Sequence, residues 1–239
     1  MSYKGTYKKK FNEMIKAFLH IATMGVYQEI FDEMMAKIIE SNILDKVELN
    51  VCIAGDGELI VKDLKNVKVH KVGRVDEFEF VTHQFMEDAI NETDENIKVL
   101  YFSGLGVTGN TVFKKSWRAY LTYFVVTKFE ECIKALDEGY DVCGADWRTN
   151  PVPHFSGNFW WANSTYLKTL PKIQTLNKPN SPRVLTLRHN AEMYIGMNPD
   201  VKPRILHQSN VSQYERHLQV YDAVNYIDKI SIENVVIDI

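Results

Sequence analysis

Proline is missing from the first 150 residues, and all seven prolines lie beyond them. That asymmetry predicts a regular α/β half followed by a loop-rich half of the same domain. Cysteine is scarce. Cys52, Cys132 and Cys143 form an odd, widely spaced set, which speaks against a disulfide framework or a zinc site and for reduced core thiols in a cytosolic chain. No stretch reaches the roughly 18 consecutive apolar residues that a membrane-spanning helix needs. Basic residues are not in excess either: 28 Lys and Arg face 31 Asp and Glu, for a net charge of −3. A dedicated nucleic-acid binder would carry a basic surplus. The amino-terminal stretch starts basic, but Glu13, Lys16 and His20 interrupt its apolar run, so no secretion signal is expected. Internal repeats and low-complexity segments are also lacking.

What is present is the material of a core. Apolar residues make up 45% and aromatics 12%, which excludes a disordered chain. The first half alternates between two periods. Residues 17–22 (AFLHIA) read as a buried strand, and Thr23-Met24-Gly25 as a turn. From Val26 the apolar positions recur at spacings of three and four as far as Ser41-Asn42, a helical stripe. Residues 47–54, 66–72 and 97–102 read as further strands, with a helix marked by Phe78, Val81, Phe85 and Ala89. A glycine-rich turn spans Ser103 to Gly109, and a long helical stretch follows. Its second part is expected to start at Thr127, with Glu130 in the capping-box position, and to stop at Gly139. Tyr140 to Ala145 is the fifth strand. This alternation predicts an α/β fold, a three-layer α/β/α sandwich around a mainly parallel sheet. Ligands in such sheets sit beyond the carboxyl ends of the strands. Those ends are Ala22-Thr23, Gly55-Asp56, Ser103-Gly104 and Ala145-Asp146.

The densest group of chemically able residues runs from Asp146 to Trp161 and holds three of the four tryptophans. Aromatic faces suit the C–H side of a sugar ring, while amides and carboxylates suit its hydroxyls. The plainer reading is a core loop whose tryptophans bury area. If Trp160 and Trp161 lie on a strand they face opposite ways, so at most one meets a ligand. Gly104, Gly106 and Gly109 either bring backbone N–H groups to a diphosphate or simply turn the chain. Asp56 and Glu58 either hold a ribose, base or metal or belong to a solvated turn. Thr23 either contacts a nucleotide or caps the helix after it. Glu192 either takes a proton or pairs with Arg188 one turn earlier. His207, a lone histidine, is more often structural. Lys8-Lys9-Lys10 reads as a solvated face, Pro171 to Arg183 as a surface loop, and the sequons at Asn91, Asn163 and Asn210 carry little weight without a secretion signal.

The segment HFSGNFWWANSTYLKTLP (154–171) resembles a motif of small glycosyltransferase-like proteins from bacterial polysaccharide gene clusters and large DNA viruses. Further pieces match in order: FLHIATMGVYQEIF (18–31), ESNILDK (40–46), WRAYLTYF (117–124), FEECIKALDEGYDVCG (129–144), RHNAEMYIG (188–196) and ILHQSN (205–210). The resemblance spans about residues 17 to 215. It implies a single GT-A-like domain over 1–239, with a nucleotide-sugar-binding half (about 15–150) and an acceptor half (about 151–239). It also implies transfer of a hexosyl or pentosyl group from a nucleotide-diphospho-sugar, a UDP-sugar favoured, to a glycan hydroxyl in the cytoplasm of a bacterium or of a virus-infected cell. In those terms Ala22, Thr23 and Asp56 contact the nucleotide, and Ser103, Gly104 and Gly106 face the diphosphate. Asp146, His154 and Asn158 orient sugars, Trp160 or Trp161 forms an aromatic wall, and Glu192 is the base of an inverting reaction, with Asp146 its rival. The chain departs from the family at 101–106. An Asp-x-Asp or Tyr-x-His-Thr-Lys-Gly pattern is expected there, and Tyr-Phe-Ser-Gly-Leu-Gly stands instead. That places use of Mn2+ or Mg2+ in question, with His207 the remaining metal candidate. The competing expectations are a catalytically degenerate sugar- or nucleotide-binding protein on the same scaffold, and an S-adenosylmethionine-dependent methyltransferase using the Gly55-Asp56-Gly57 turn.

Overall fold

The computed structural model describes residues 15–176, 187–212 and 214–227. The lysine run at 8–10 and residues 177–183 of the expected loop lie outside them. In β1 (Ile15–Ala22) the side chains alternate between two buried layers. Ala17, Leu19 and Ile21 enter one core and Phe18 the other, the two-residue period of a strand covered on both faces. The same holds for β2 (Glu48–Ala54) and β4 (Lys98–Ser103), whereas β3 (Val67–Gly73) is half-exposed at the sheet edge. Strands β5 (Val142–Ala145), β8 (Trp160–Asn163) and β9 (Pro203–His207) complete a seven-stranded sheet of order β3-β2-β1-β4-β8-β5-β9. All its pairings are parallel except those of β8, which runs antiparallel to β4 and β5. A two-strand ribbon of β6 (Trp147–Arg148) and β7 (His154–Phe155) stands apart.

Helices cover both faces. Apolar residues of α1 (Tyr27–Glu40), α3 (Val112–Thr122) and α4 (Phe129–Asp137) pack into one core, and those of α2 (Phe80–Asn91), α5 (Ser164–Leu167), α6 (Ile173–Leu176) and α7 (Leu187–Met193) into the other. The handedness of crossovers explains the division. The chain steps outward from β1 to β2 through α1 and returns across β1 to β4 through α2. Right-handed connections in opposite directions put their helices on opposite faces. The long helical stretch differs from expectation at its middle. Thr127 does not cap a new helix; it ends a π-helical turn over Tyr123–Thr127 that joins α3 to α4, and α4 begins at Phe129 without a side-chain cap. Phe78 lies outside α2 at φ 56°.

The return of the chain from β3 to β4 makes β1 and β4 the point where the strand order reverses, and the crevice beyond their carboxyl ends is the favoured ligand position in such sheets. The reversed strand adds to that edge. Trp160, the first residue of β8, pairs with Tyr101 of β4 and Gly144 of β5, so the residues just before β8 arrive beside the carboxyl ends of the parallel strands.

Candidate functional site

Each strand end carries a turn fixed by its own hydrogen bonds. After β1, the Thr23 hydroxyl donates to the Ala54 carbonyl (3.2 Å) and accepts from the Gly57 N–H (3.0 Å). A Cβ on Gly55 would meet this hydroxyl at 2.3 Å, and one on Gly57 would meet Thr23 Cβ at 2.7 Å, which accounts for both glycines. Thr23 therefore neither caps α1 nor has a free hydroxyl. Asp56 projects from the turn fully exposed and pairs with Lys71 at 2.8 Å; that ammonium holds its carboxyl below the ordinary range. Ala22, at the end of β1, packs partly buried against the core.

The turn after β4 is likewise closed on itself. Gly104 N–H donates to the His20 carbonyl, Leu105 to Ser103, Val107 to Gly104 and Gly109 to Gly106. Buried Arg118 clamps it from below, donating to the Leu105 carbonyl (2.6 Å), to Asn110 (3.1 Å) and to Glu33 (2.8 Å). Gly106 takes φ 102° with its missing Cβ 3.1 Å from Arg118. Ser103 is buried beneath the turn. Most of the N–H groups that a diphosphate would need at 104–109 are thus already bonded.

Asp146 is a structural tie. It is fully buried at φ 61°, and its Oδ1 accepts from Arg148 Nη2 (2.6 Å), Gln208 Nε2 (3.1 Å), Ser209 N (3.1 Å) and Ser209 Oγ (2.7 Å). His207 accepts or donates at Nδ1 with the Tyr120 hydroxyl (3.0 Å) and stacks on Phe124 at 5.3 Å. No carboxylate follows β4, His207 Nδ1 is bonded to Tyr120, Asp146 Oδ1 holds Arg148, Gln208 and Ser209, and no three His, Cys, Asp or Glu side chains group for a cation among the described residues.

Both tryptophans of the HFSGNFWWA segment are fully buried, which corrects the aromatic-wall expectation for either. They do face opposite layers. Trp161 donates Nε1 to the Val125 carbonyl (2.8 Å), and Trp160 stacks on Tyr101 at 5.2 Å and donates to Asn158 Oδ1 (2.7 Å). Strand β8 is flanked by partners on both edges and helices on both faces, so neither ring reaches solvent.

Asn158 and Glu192 come together at a group that the sequence alone did not single out, Glu79, and His154 lies within reach of the Glu192 charge. Asn158, held at φ 62°, donates Nδ2 to Glu79 Oε2, which also accepts from the Tyr101 hydroxyl (2.8 Å). Glu79 is raised from 4.5 to about 7, chiefly because burial penalises the carboxylate; the Glu192 charge adds to this, while the Tyr101 and Asn158 hydrogen bonds and Arg188 oppose it. Glu192 pairs with Arg216 at 3.4 Å, whose guanidinium lies over Trp117 at 4.9 Å. His154 donates Nδ1–H to the Val152 carbonyl (2.8 Å). A carbonyl can only accept, so Nε2 is the bare, proton-accepting nitrogen of the neutral ring, and burial keeps that ring neutral below its usual range. Gly157 holds φ 75° where a Cβ would strike Leu121 at 2.6 Å and Trp117 at 3.1 Å. The close backbone approach lets Asn158 enter at its left-handed angle. A signal for Glu79 exists in the sequence: it is the carboxylate that directly precedes α2, on the connection that follows β3. Arg216 had no signal, because its role comes from the tail folding back on α7.

A separate groove of about 830 Å3 lies between β3, α2 and α6, lined among others by Val69, His70, Phe80 and Phe85. Of the side chains described above, Lys71, the partner of Asp56, also lines it. No helix of the described residues is long and apolar enough to cross a membrane.

A search of curated proteins finds no match to the chain. Residues 26–223, most of the chain and including Glu79, His154, Asn158 and Glu192, match a domain of unknown function (DUF8361), and the protein belongs to that family.

Proposed function

We propose that the chain is a GT-A-like glycosyltransferase that moves a sugar from a nucleotide-diphospho-sugar, with a uridine donor favoured, to a glycan hydroxyl. The observation that carries this reading is the group at the sheet's carboxyl edge: two carboxylates, Glu79 and Glu192, and the bare imidazole nitrogen of His154, with the fully buried Asn158 amide, engaged by Glu79, Ala191 and Trp160, holding Glu79 rather than a sugar. An imidazole nitrogen orients a sugar hydroxyl. One carboxylate suffices to take the acceptor's proton, because a nucleoside diphosphate leaves as a stabilised anion. Arg188 and Arg216 lie close enough to Glu79, Glu192 and His154 to influence them. In this reading they supply the positive charge that a histidine and a lysine bring after the fourth strand in the glycosyltransferase-like proteins that the chain resembles. The resemblance of 154–171 to the polysaccharide-cluster and viral proteins adds the substrate class. Fold alone would not, since one scaffold serves many chemistries.

The closed turn at 103–109 favours a second reading, a binding protein on the same scaffold that turns nothing over. A thermal-shift panel of UDP, GDP, dTDP, CMP and S-adenosylmethionine, each with and without manganese, separates the cases. At 100 times its dissociation constant a ligand stabilises the fold by about 2.7 kcal/mol, roughly 5–10 °C for a chain of this size. The expected result is a rise with UDP that does not require manganese, followed by release of UDP from a UDP-sugar. A rise without turnover supports the binding protein. A rise with S-adenosylmethionine alone supports the methyltransferase and sinks the proposal.

A further inference from the structure

The sheet edge presents two carboxylates where one proton must be taken, and their surroundings differ. Glu192 Oε1 is engaged with Arg216. Both hydrogen bonds to Glu79 fall on Oε2, and Oε1 has none among the described residues. The donors to Oε2 are themselves fixed. Tyr101 is buried in β4 and stacked on Trp160, and Asn158 is locked by the Trp160 indole N–H on one side and by its donation to the Ala191 carbonyl on the other. Two rigid donors on one oxygen set the direction of the other, as a positioned proton-transfer group requires. This argument rests on the glycosyltransferase reading and deepens it.

We propose that Glu79 is the proton acceptor of the transfer, and that Glu192 is a positioning residue that acts on it through its charge. In the step, the acceptor hydroxyl gives its proton to Glu79 Oε1 as its oxygen bonds to the anomeric carbon. The bond from that carbon to the diphosphate oxygen breaks, and its electron pair leaves with the nucleoside diphosphate. The configuration at the anomeric carbon inverts. The charged and titratable groups facing Glu79 are Tyr101 on β4 and Glu192 and Arg188 on α7. The first and last favour its ionised form, and Glu192 disfavours it. The raised position of the Glu79 carboxyl, near neutral pH, suits a base at work there.

The test uses the full chain with UDP-glucose, UDP-galactose and UDP-N-acetylglucosamine, reading UDP release against pH. Wild type is expected to lose kcat as pH falls below about 7 and to give inverted products by proton NMR. Glu79→Gln is expected to keep the UDP thermal shift and donor KM while losing about 100-fold or more in kcat, and with it the acid limb. Glu79→Asp, which retains a carboxylate, loses rate but keeps the limb; it also serves if the glutamine variant does not fold. Glu192→Gln is expected to move the limb to lower pH and Tyr101→Phe to higher pH, opposite shifts that a merely structural role would not produce. If no donor releases UDP with wild type, the glycosyltransferase reading falls and this role with it. If wild type turns over while Glu79→Gln keeps its rate and limb, if Glu192→Gln abolishes the limb, or if products retain configuration, the assignment to Glu79 alone is overturned.

Discussion

His83 is buried among Tyr101, Tyr194 and Trp160, with ring centroids 4.4, 5.2 and 6.4 Å away, and neither ring nitrogen has a hydrogen-bond partner among the described residues. Burial, with a smaller push from His20, lowers it from 6.5 to about 3, and burial lowers His20 to about 4. Below pH 6.5 the unfolded chain protonates both rings while the folded chain does not. The unfolded state then binds more protons, so stability is full above 6.5 and falls as pH drops toward 4. Glu79 works the other way. Its carboxyl is raised to about 7 in the fold against 4.5 outside it, so the folded chain binds the extra proton and stability falls as pH rises from 4.5 to 7. Single variants separate the trends. His83→Phe keeps the stacking and removes one group. Its urea-unfolding free energy is expected to depend on pH between 6.5 and 4 less steeply than wild type, by up to about 1.4 kcal/mol per pH unit. An unchanged slope would mean that His83 is solvated in the folded chain.

At the scale of the element, strand β8 and the turn that feeds it matter most. Ser156-Gly157-Asn158 carries two consecutive left-handed residues, Gly157 and Asn158, and they bring the asparagine to Glu79 before the chain enters the sheet. Gly157→Ala adds a methyl where Leu121 and Trp117 already stand. We expect a loss of about 1–3 kcal/mol from strain and overpacking, seen as a lower melting temperature with an altered near-ultraviolet tryptophan signal. A variant as stable as wild type would show that the Trp117 wall yields. The strands and first helix were legible here because their periods of two and of three to four are local. The direction of β8 was not. Its residues 160–163 read the same whichever way the strand runs, and only pairing with β4 and β5 sets it antiparallel.

For the whole molecule, the carboxyl-terminal tail is tied back to the sheet chiefly at one carboxylate. Asp146 binds Arg148, Gln208 and Ser209, and Arg148 in turn donates to Ser209 Oγ and the Val211 carbonyl. The tail then carries Arg216 to Glu192 and Trp117, so one side of the candidate site depends on that tie. Asp146→Asn removes the charge opposite a largely buried guanidinium, and we expect about 3 kcal/mol of destabilisation together with faster limited proteolysis within residues 208–227. Cleavage at the wild-type rate would show that the tail is held by its aromatic packing alone.

The sequence by itself determined the alternation of strands and helices, the positions of the strand ends, and the segment 154–171 as the place where polar and aromatic groups concentrate, because each follows from local periodicity and residue chemistry. It also pointed to Asn158, His154 and Glu192. Tertiary structure decided which groups were free to act. Packing on both faces buried Trp160 and Trp161, hydrogen bonds across the sheet occupied Thr23, Asp146 and the glycine turn, and the meeting of β4, α2, α7 and the residues before β8 placed Glu79 beside Asn158. Those contacts join residues 22 to 113 positions away from Glu79 in the chain, and no local pattern records partners at such a distance; only the folded packing brings the donors onto one oxygen.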